Sequence, residues 1–363
     1  MHKDDQMTPL QRLDAFLNGK PMDRILIMPI LCSMSGMVAG MTHKEKRSSA
    51  RNEAMAQVAC YREFGNDLAI IEYGLHGVGI SQGTQMSDPE NSVPTIREYA
   101  IENLDQLDRL DLDKLRPEND PKFQRHLEAI KITQEEIGDE VPVGMLISGP
   151  FTAAASIFCT ENLLRETRKH PEKLHELLRF CTDGLKGVYR EIIKTGAMVL
   201  FCDPIASGTI IHRRHYLEFV LPYTRELMKE IHDAGGMVCY HICGDTTNIV
   251  EDMTTSGCDM ISIDNLVSLK STKEKIGGKL PILGNVDPVE VLILGSREDV
   301  DAKVKQCIED AYDSPCGYML ASGCDLNGDV PLENIHQFME SGRRYGSCAV
   351  GRHNLFESQP AVG

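Results

Sequence analysis

A histidine and a cysteine stand two apart in Tyr240-His241-Ile242-Cys243-Gly244, at the end of one apolar run. A third candidate, Cys324, closes another run in Ser322-Gly323-Cys324-Asp325. On an extended strand the side chains alternate, so His241 and Cys243 point to the same side. One imidazole and two thiolates make a borderline-soft donor set that suits Zn²⁺, and three protein ligands leave a fourth position open, as catalytic sites do. A lone His-x-Cys is also ordinary strand filling. What sharpens the metal reading is the glycine-flanked cysteine at a second strand end. Cys258 and Cys316 compete for the third place, but each precedes a strand, which assigns both to the opposite rim.

Acidic and amide groups close further strands: Glu72, Asp203, Asp264 with Asn265, and Asn285 with Asp287. Glu72, Asp203, Asp264 and Asn285 are candidates for orienting substrate, taking a proton or fixing the tautomer of a ligand histidine. The competing role is helix capping, which suits Asp and Asn at strand-to-helix junctions and is preferred for Asp287 before Pro288. His212 and His215 read as a solvated helix start.

These groups need a scaffold that gathers strand ends. Short apolar runs at 25–31, 67–72, 142–149, 197–204, 237–243, 260–265, 281–287 and 318–325 alternate with amphipathic segments along the whole chain. Near-continuous apolar strands are expected when both faces of a parallel sheet are covered. Helical periodicity is clearest in 171–195, where Leu174, Leu177, Leu178, Cys181, Leu185, Val188 and Ile192 mark one face. Other helical patterns cover roughly 8–19, 47–65, 122–137, 214–234, 246–256, 298–313 and 331–345. Eight strands with helices between them predict an α/β fold, a (β/α)₈ TIM barrel forming a single domain over 1–346, with a loose C-terminal tail at 347–363. The long stretch 73–121 predicts an excursion after the second strand, lying over the mouth. An open doubly wound sheet is the rival, but no G-x-G-x-x-G follows the first strand and no Walker loop occurs. In a barrel, functional groups collect at the strands' C-terminal ends, where His241, Cys243 and Cys324 fall.

Bulk properties narrow the partners. A formal net charge of −16 over 363 residues argues against nucleic acid and anionic membranes, and favours a neutral or cationic partner or a small molecule shielded in a pocket. No apolar run is long enough to span a bilayer, and no signal peptide is recognisable. A cytoplasmic location is therefore expected, where twelve cysteines would stay reduced. Cys60, Cys181, Cys202 and Cys239 sit among apolar residues and read as small buried hydrophobes.

Over nearly its whole length the chain resembles the uroporphyrinogen decarboxylase superfamily. The resemblance rests on Thr8-Pro9-Leu10-Gln11-Arg12 followed by Asp23-Arg24, on Gly149-Pro150-Phe151-Thr152, and on Gly284-Asn285-Val286-Asp287-Pro288. His241-Ile242-Cys243-Gly244 with Cys324 resembles the zinc ligands of its methylcobalamin:coenzyme M methyltransferase branch. The decarboxylases' arginine-rich segment is replaced by Cys32-Ser33-Met34-Ser35-Gly36-Met37, Glu72 stands near their aspartate, and their late histidine has no counterpart in Cys324-Asp325-Leu326-Asn327-Gly328-Asp329. An acidic chain without those arginines is not expected to grip a polycarboxylate tetrapyrrole.

The resemblance implies methyl transfer between a methylated corrinoid, carried by a small corrinoid-binding protein, and a zinc-activated thiol such as coenzyme M. Zn²⁺ would be the cofactor and methylcobalamin or a related corrinoid the co-substrate. It leaves open a demethylating enzyme acting on a methoxylated or methylated compound, a non-catalytic zinc-bearing module, decarboxylation, and a homodimer.

Overall fold

Seven of the eight expected strands form one all-parallel sheet. The computed structural model describes residues 2–357, with side chains through Ser347. The strands are β1 (Ala69–Gly74), β2 (Gln85–Met86), β3 (Ile96–Glu98), β4 (Val143–Ser148), β5 (Met198–Cys202), β6 (Val238–Ile242), β7 (Met260–Ile263), β8 (Ile282–Val286) and β9 (Tyr318–Ser322). The large sheet runs β1-β4-β5-β6-β7-β8-β9, and β2 pairs only with β3, antiparallel. Parallel neighbours need a crossover, and the helices supply it, covering one face of the sheet. The other face holds a separate apolar cluster that includes Ile70, Cys239, Met260, Leu283 and Met319. Residues from both edges of the sheet meet there, which requires the sheet to curl.

The expected first strand, 25–31, is a correction. It makes one bridge, Ile27 to Leu320 on β9, flanked by Met28 N–H to Leu320 O at 2.8 Å and Leu320 N–H to Leu26 O at 2.9 Å. On the β1 side Asp67 N–H reaches Ile27 O at 2.9 Å. The ladder fails for a local reason. Pro29 has no N–H to give, and the Ile27 and Ile30 amides donate to side chains, Asp67 Oδ2 at 2.6 Å and Ser322 Oγ at 3.0 Å. The segment therefore lies between the sheet's two edges without forming a full strand.

The expected helices form, two of them altered, and Pro150–Ile157, Thr160–Lys169 and Leu269–Ile276 are additional. The segment expected at 246–256 shrinks to Val250–Met253. The one expected at 214–234 is interrupted by a π turn, Tyr216–Val220, before Leu221–Asp233; Pro222 cannot supply the N–H that a continuous α-helix requires there. The excursion after β1 comprises the helix Gly77–Gln82, the β2–β3 hairpin and three short 3₁₀ turns between Leu104 and Asn119. The last helix, Leu332–Glu357, runs through 347–357, where a loose tail was expected, and residues 358–363 lie outside the described residues.

The rim before the strands is closed by buried charge. Arg12 reaches Asp23 at 2.7 Å and Asp67 at 2.6 Å, while Arg24 bonds Asp5 at 2.8 Å and Asp67 at 2.5 Å. The Thr8-Pro9 and Asp23-Arg24 motifs are thus the two arms of one ion network. Thr8 also caps the helix Pro9–Leu17, in a box shared with Gln11.

Candidate metal centre

His241 is the fourth residue of β6, and Cys243 follows the strand's last residue. Gly244 comes next at φ +80°, a conformation few side chains tolerate, and its backbone packs against Ser207 and Thr209. That turn leaves both side chains aimed across the strand ends. Cys324 arrives from the far edge, two residues beyond β9. A Cβ on Gly323 would lie 2.6 Å from the Asn265 amide, so glycine is needed for the close approach. The three donor atoms lie within 4.8 Å of one another: His241 Nε2 is 3.1 Å from Cys243 Sγ, which is 3.3 Å from Cys324 Sγ.

Tetrahedral zinc with S and N ligands would separate its donors by about 3.5–3.8 Å, so shifts of a few tenths of an ångström would accommodate the ion. The donor chemistry fits as well. Cys243 bonds to Cys324 and holds the Cys324 pKa down to about 4; burial opposes this and His241 assists. The same bond, with burial, pushes Cys243 up. The pair readily carries one negative charge and resists a second until a cation is present. His241 Nδ1 lies 2.9 Å from Ser262 Oγ, its register partner on β7, so Nε2 is the nitrogen left facing the thiols.

The donors line a cavity of about 140 Å³ whose other walls are mainly aliphatic, among them Ile70, Leu146, Leu200 and Leu283. Glu72 and Asp325 supply its acidic groups. The Asp325 carboxylate accepts from the Cys32 and Ser33 amides at 2.9 and 3.1 Å, and burial, with Glu72 nearby, raises its pKa to about 7. Glu72 lies 4.0 Å from the Lys46 ammonium.

The other predicted residues do not line that cavity. Asp203 is fully buried, accepts from the Thr152 amide at 2.7 Å, and is raised to about 6 by burial despite the Thr152 bonds. It ties the Gly149-Pro150-Phe151-Thr152 turn to the end of β5. Asp264 accepts from the Leu266 amide at 2.9 Å. Asn285 donates to Asp264 O at 3.0 Å and Val267 O at 2.7 Å, stapling the loop after β7. Asp287 caps the following turn through the Val289 and Glu290 amides. His212 likewise caps Arg213–His215. Cys258 and Cys316 stand apart from the triad.

Sequence reasoning passed over Ser262, Lys46, Lys122 and Arg125. Ser262 had a signal: it is the only polar residue within Met260-Ile261-Ser262-Ile263, one strand from His241. The cations had none, since an overall charge of −16 hides how they gather. Lys46, Arg47, Lys122 and Arg125 line one chamber beside the candidate metal cavity, a local gathering of basic groups within an acidic chain.

Residues 8–345 match the family described as uroporphyrinogen decarboxylase (URO-D). The chain belongs to that family. Within it, the chain is 27% identical over 362 residues to the methylcobamide:CoM methyltransferase MtbA of Methanosarcina mazei, covering 94% of this chain and 99% of that one. It is 32% identical over 216 residues, 59% of this chain and 56% of the other, to a methylated-thiol--coenzyme M methyltransferase of the same organism. A solved methyltransferase structure from Methanosarcina mazei superposes with a TM-score of 0.79 at 22% identity, covering 94% and 99% of the two chains, and shares the fold. Among the described residues no helix is long and apolar enough to cross a membrane.

Proposed function

We propose that this URO-D family member is a zinc-dependent corrinoid methyltransferase, moving a methyl group between a corrinoid carried by a partner protein and a thiol such as coenzyme M. One observation carries the reading: His241, Cys243 and Cys324 converge at one end of the sheet in a chain aligned end to end with a methylcobamide:CoM methyltransferase. The reading takes the fold as a (β/α)₈ barrel of one domain, with 25–31 as its first strand held by a single bridge. It places the enzyme in a reducing cytoplasm, where both thiols stay available.

His241 would ligate through Nε2, with Ser262 holding the ring, and Cys243 and Cys324 would ligate as thiolates. Bound there, Zn²⁺ supplies the positive charge that keeps a substrate thiol deprotonated at neutral pH. The aliphatic walls exclude water from the reacting sulfur, which strengthens the electrostatics within. Glu72 and Asp325 are the acidic groups able to orient a ligand in that cavity. Asp203, Asp264 and Asn285 act on the strand ends from behind, as positioning residues. The 73–121 excursion offers a docking face for the corrinoid partner.

A second reading, demethylation of a methylated compound onto the corrinoid, draws on the 32% match to the methylated-thiol enzyme. Metal analysis of the wild type beside Cys324→Ala and His241→Ala tests the site, with about one zinc per chain expected in the wild type and marked loss in both variants. Methylcobalamin mixed with a thiol panel, followed by cobalamin absorbance, tests the reaction. Turnover only in reverse, from methylated donors to reduced corrinoid, would favour the second reading. Full zinc with no turnover in either direction would leave a binding module.

A further inference from the structure

A chamber of about 300 Å³ adjoins the metal cavity, and Glu72 and Leu75 line both. Lys46, Arg47, Lys122 and Arg125 face Glu53 and Glu72 around it, so four basic side chains meet two carboxylates in a strongly acidic protein. Both carboxylates are already engaged. Glu53 Oε2 lies 2.7 Å from His126 Nδ1 and its other oxygen accepts from the Glu72 amide, while Glu72 faces Lys46. Arg47 pairs with Asp88 at 2.7 Å, and Lys46 donates to Cys32 O at 2.6 Å.

Lys122 and Arg125 are left over. Neither makes a hydrogen bond or ion pair among the described residues; Lys122 only overlies the Tyr73 ring at 5.5 Å. Arg125 Nε, His76 Nδ1 and His126 Nε2 are buried without a partner, and His126 as a whole is 4% exposed. Native proteins rarely leave such atoms unmatched unless a ligand or water completes them. Lys122, Arg125 and His126 also occupy the first turns of the helix Pro121–Ile137, whose N-terminal end favours negative charge. Burial, and then repulsion from Arg125, lower the Lys122 pKa, a strain that an anion would relieve.

We propose that this chamber binds the anionic end group of the substrate (a sulfonate, phosphate or carboxylate), while the sulfur end reaches past Glu72 and Leu75 to the three metal donors. The proposal rests on the thiol reading above and assigns the place where the charged terminus of such a thiol is held. Lys122 and Arg125 set specificity through this contact, and the aliphatic metal cavity takes the uncharged part.

Ethanesulfonate, which has no thiol, separates the chamber from the chemistry. Calorimetric titration should show it binding the zinc-loaded wild type and weakening by roughly tenfold or more in Lys122→Gln/Arg125→Gln, with Lys122→Arg retaining binding. In the wild type, 2-mercaptoethanesulfonate and 3-mercaptopropionate should bind roughly tenfold or more tighter than 2-mercaptoethanol, a preference that the double variant loses at unchanged zinc content and thermal midpoint. No ethanesulfonate binding to the wild type overturns the proposal, as does a charge preference that survives the double substitution. Ethanesulfonate binding without any preference among the thiols also overturns it. The ethanesulfonate arm needs no methyl donor, so absence of methyl transfer would count against the proposed function and not against the chamber.

Discussion

The two ends of the curled sheet both bury charge and treat it in opposite ways. At the floor, Arg12 and Arg24 meet Asp5, Asp23 and Asp67, and among the described residues no charged group of that network is left with a buried atom unmatched. At the mouth, Arg125, His76 and His126 each keep one, and the three candidate metal donors have one another, Ser262 and the Asp325 backbone amide. A closed set of partners satisfies itself and serves the fold. An open set costs stability and is retained where something outside the chain completes it.

The contrast breaks first at the metal donors. Cys243→Ala is expected to abolish zinc binding and lower methyl transfer by roughly a thousandfold or more, while the metal-free protein stays folded. Metal content, turnover and circular dichroism check this together. Unfolding on zinc removal would make the mouth structural and erase the distinction.

At the floor the expected loss is of stability alone. Asp67 accepts from Arg12, Arg24 and the Ile27 amide, so Asp67→Ala leaves each buried guanidinium with one carboxylate fewer, Arg12 keeping Asp23 and Arg24 keeping Asp5, and the Ile27 amide without its acceptor. A loss of about 3–5 kcal/mol follows, measurable by urea unfolding. Zinc per folded chain should not change. If it falls, the floor is coupled to the site through the 25–31 segment.

How legible each end was in the sequence follows from the same physics. Strand-end reasoning found His241, Cys243 and Cys324 because period-two alternation and glycine flanks are local signals. Seven strands were legible because both faces are covered. The 25–31 segment misled because it is equally apolar, and only pairing reveals that Asp67 and Ser322 side chains replace its ladder. Asp203, Asp264 and Asn285 were legible as strand-end residues with capping as the competing role, but the sequence did not decide between substrate contact and the bonds to Thr152, the Leu266 amide and the Asp264 and Val267 carbonyls that they make. The cationic chamber was invisible, since Lys46, Lys122 and Arg125 come from segments that only the fold brings together.

Ser262→Ala sharpens the contrast by removing the hydrogen-bond partner of His241 Nδ1. Zinc affinity should fall by about 10–100-fold, read by chelator competition, with urea stability of the metal-free protein unchanged. An unaltered affinity would mean that packing alone orients the ring.

The smallest effect is a matter of pH. Burial pulls Asp23 upward, yet the Arg12 hydrogen bond and charge outweigh it and hold the carboxyl at about 2, below its ordinary value of 3.8. A depressed folded pKa adds stability that is fully present above the unfolded pKa and is lost as pH falls through the folded one. Asp23→Asn should therefore be less stable than wild type at pH 7 by about 1 kcal/mol, a figure reduced for solvent screening at a partly exposed pair. The gap should close between about pH 4 and pH 2, because there the wild-type carboxyl takes up the proton that removes its charge. Urea unfolding of both proteins across that range reads the difference directly. A gap that persists at pH 2 would show that Asp23 contributes through the geometry of its bonds to Gln6, Met7 and Arg12 rather than through charge.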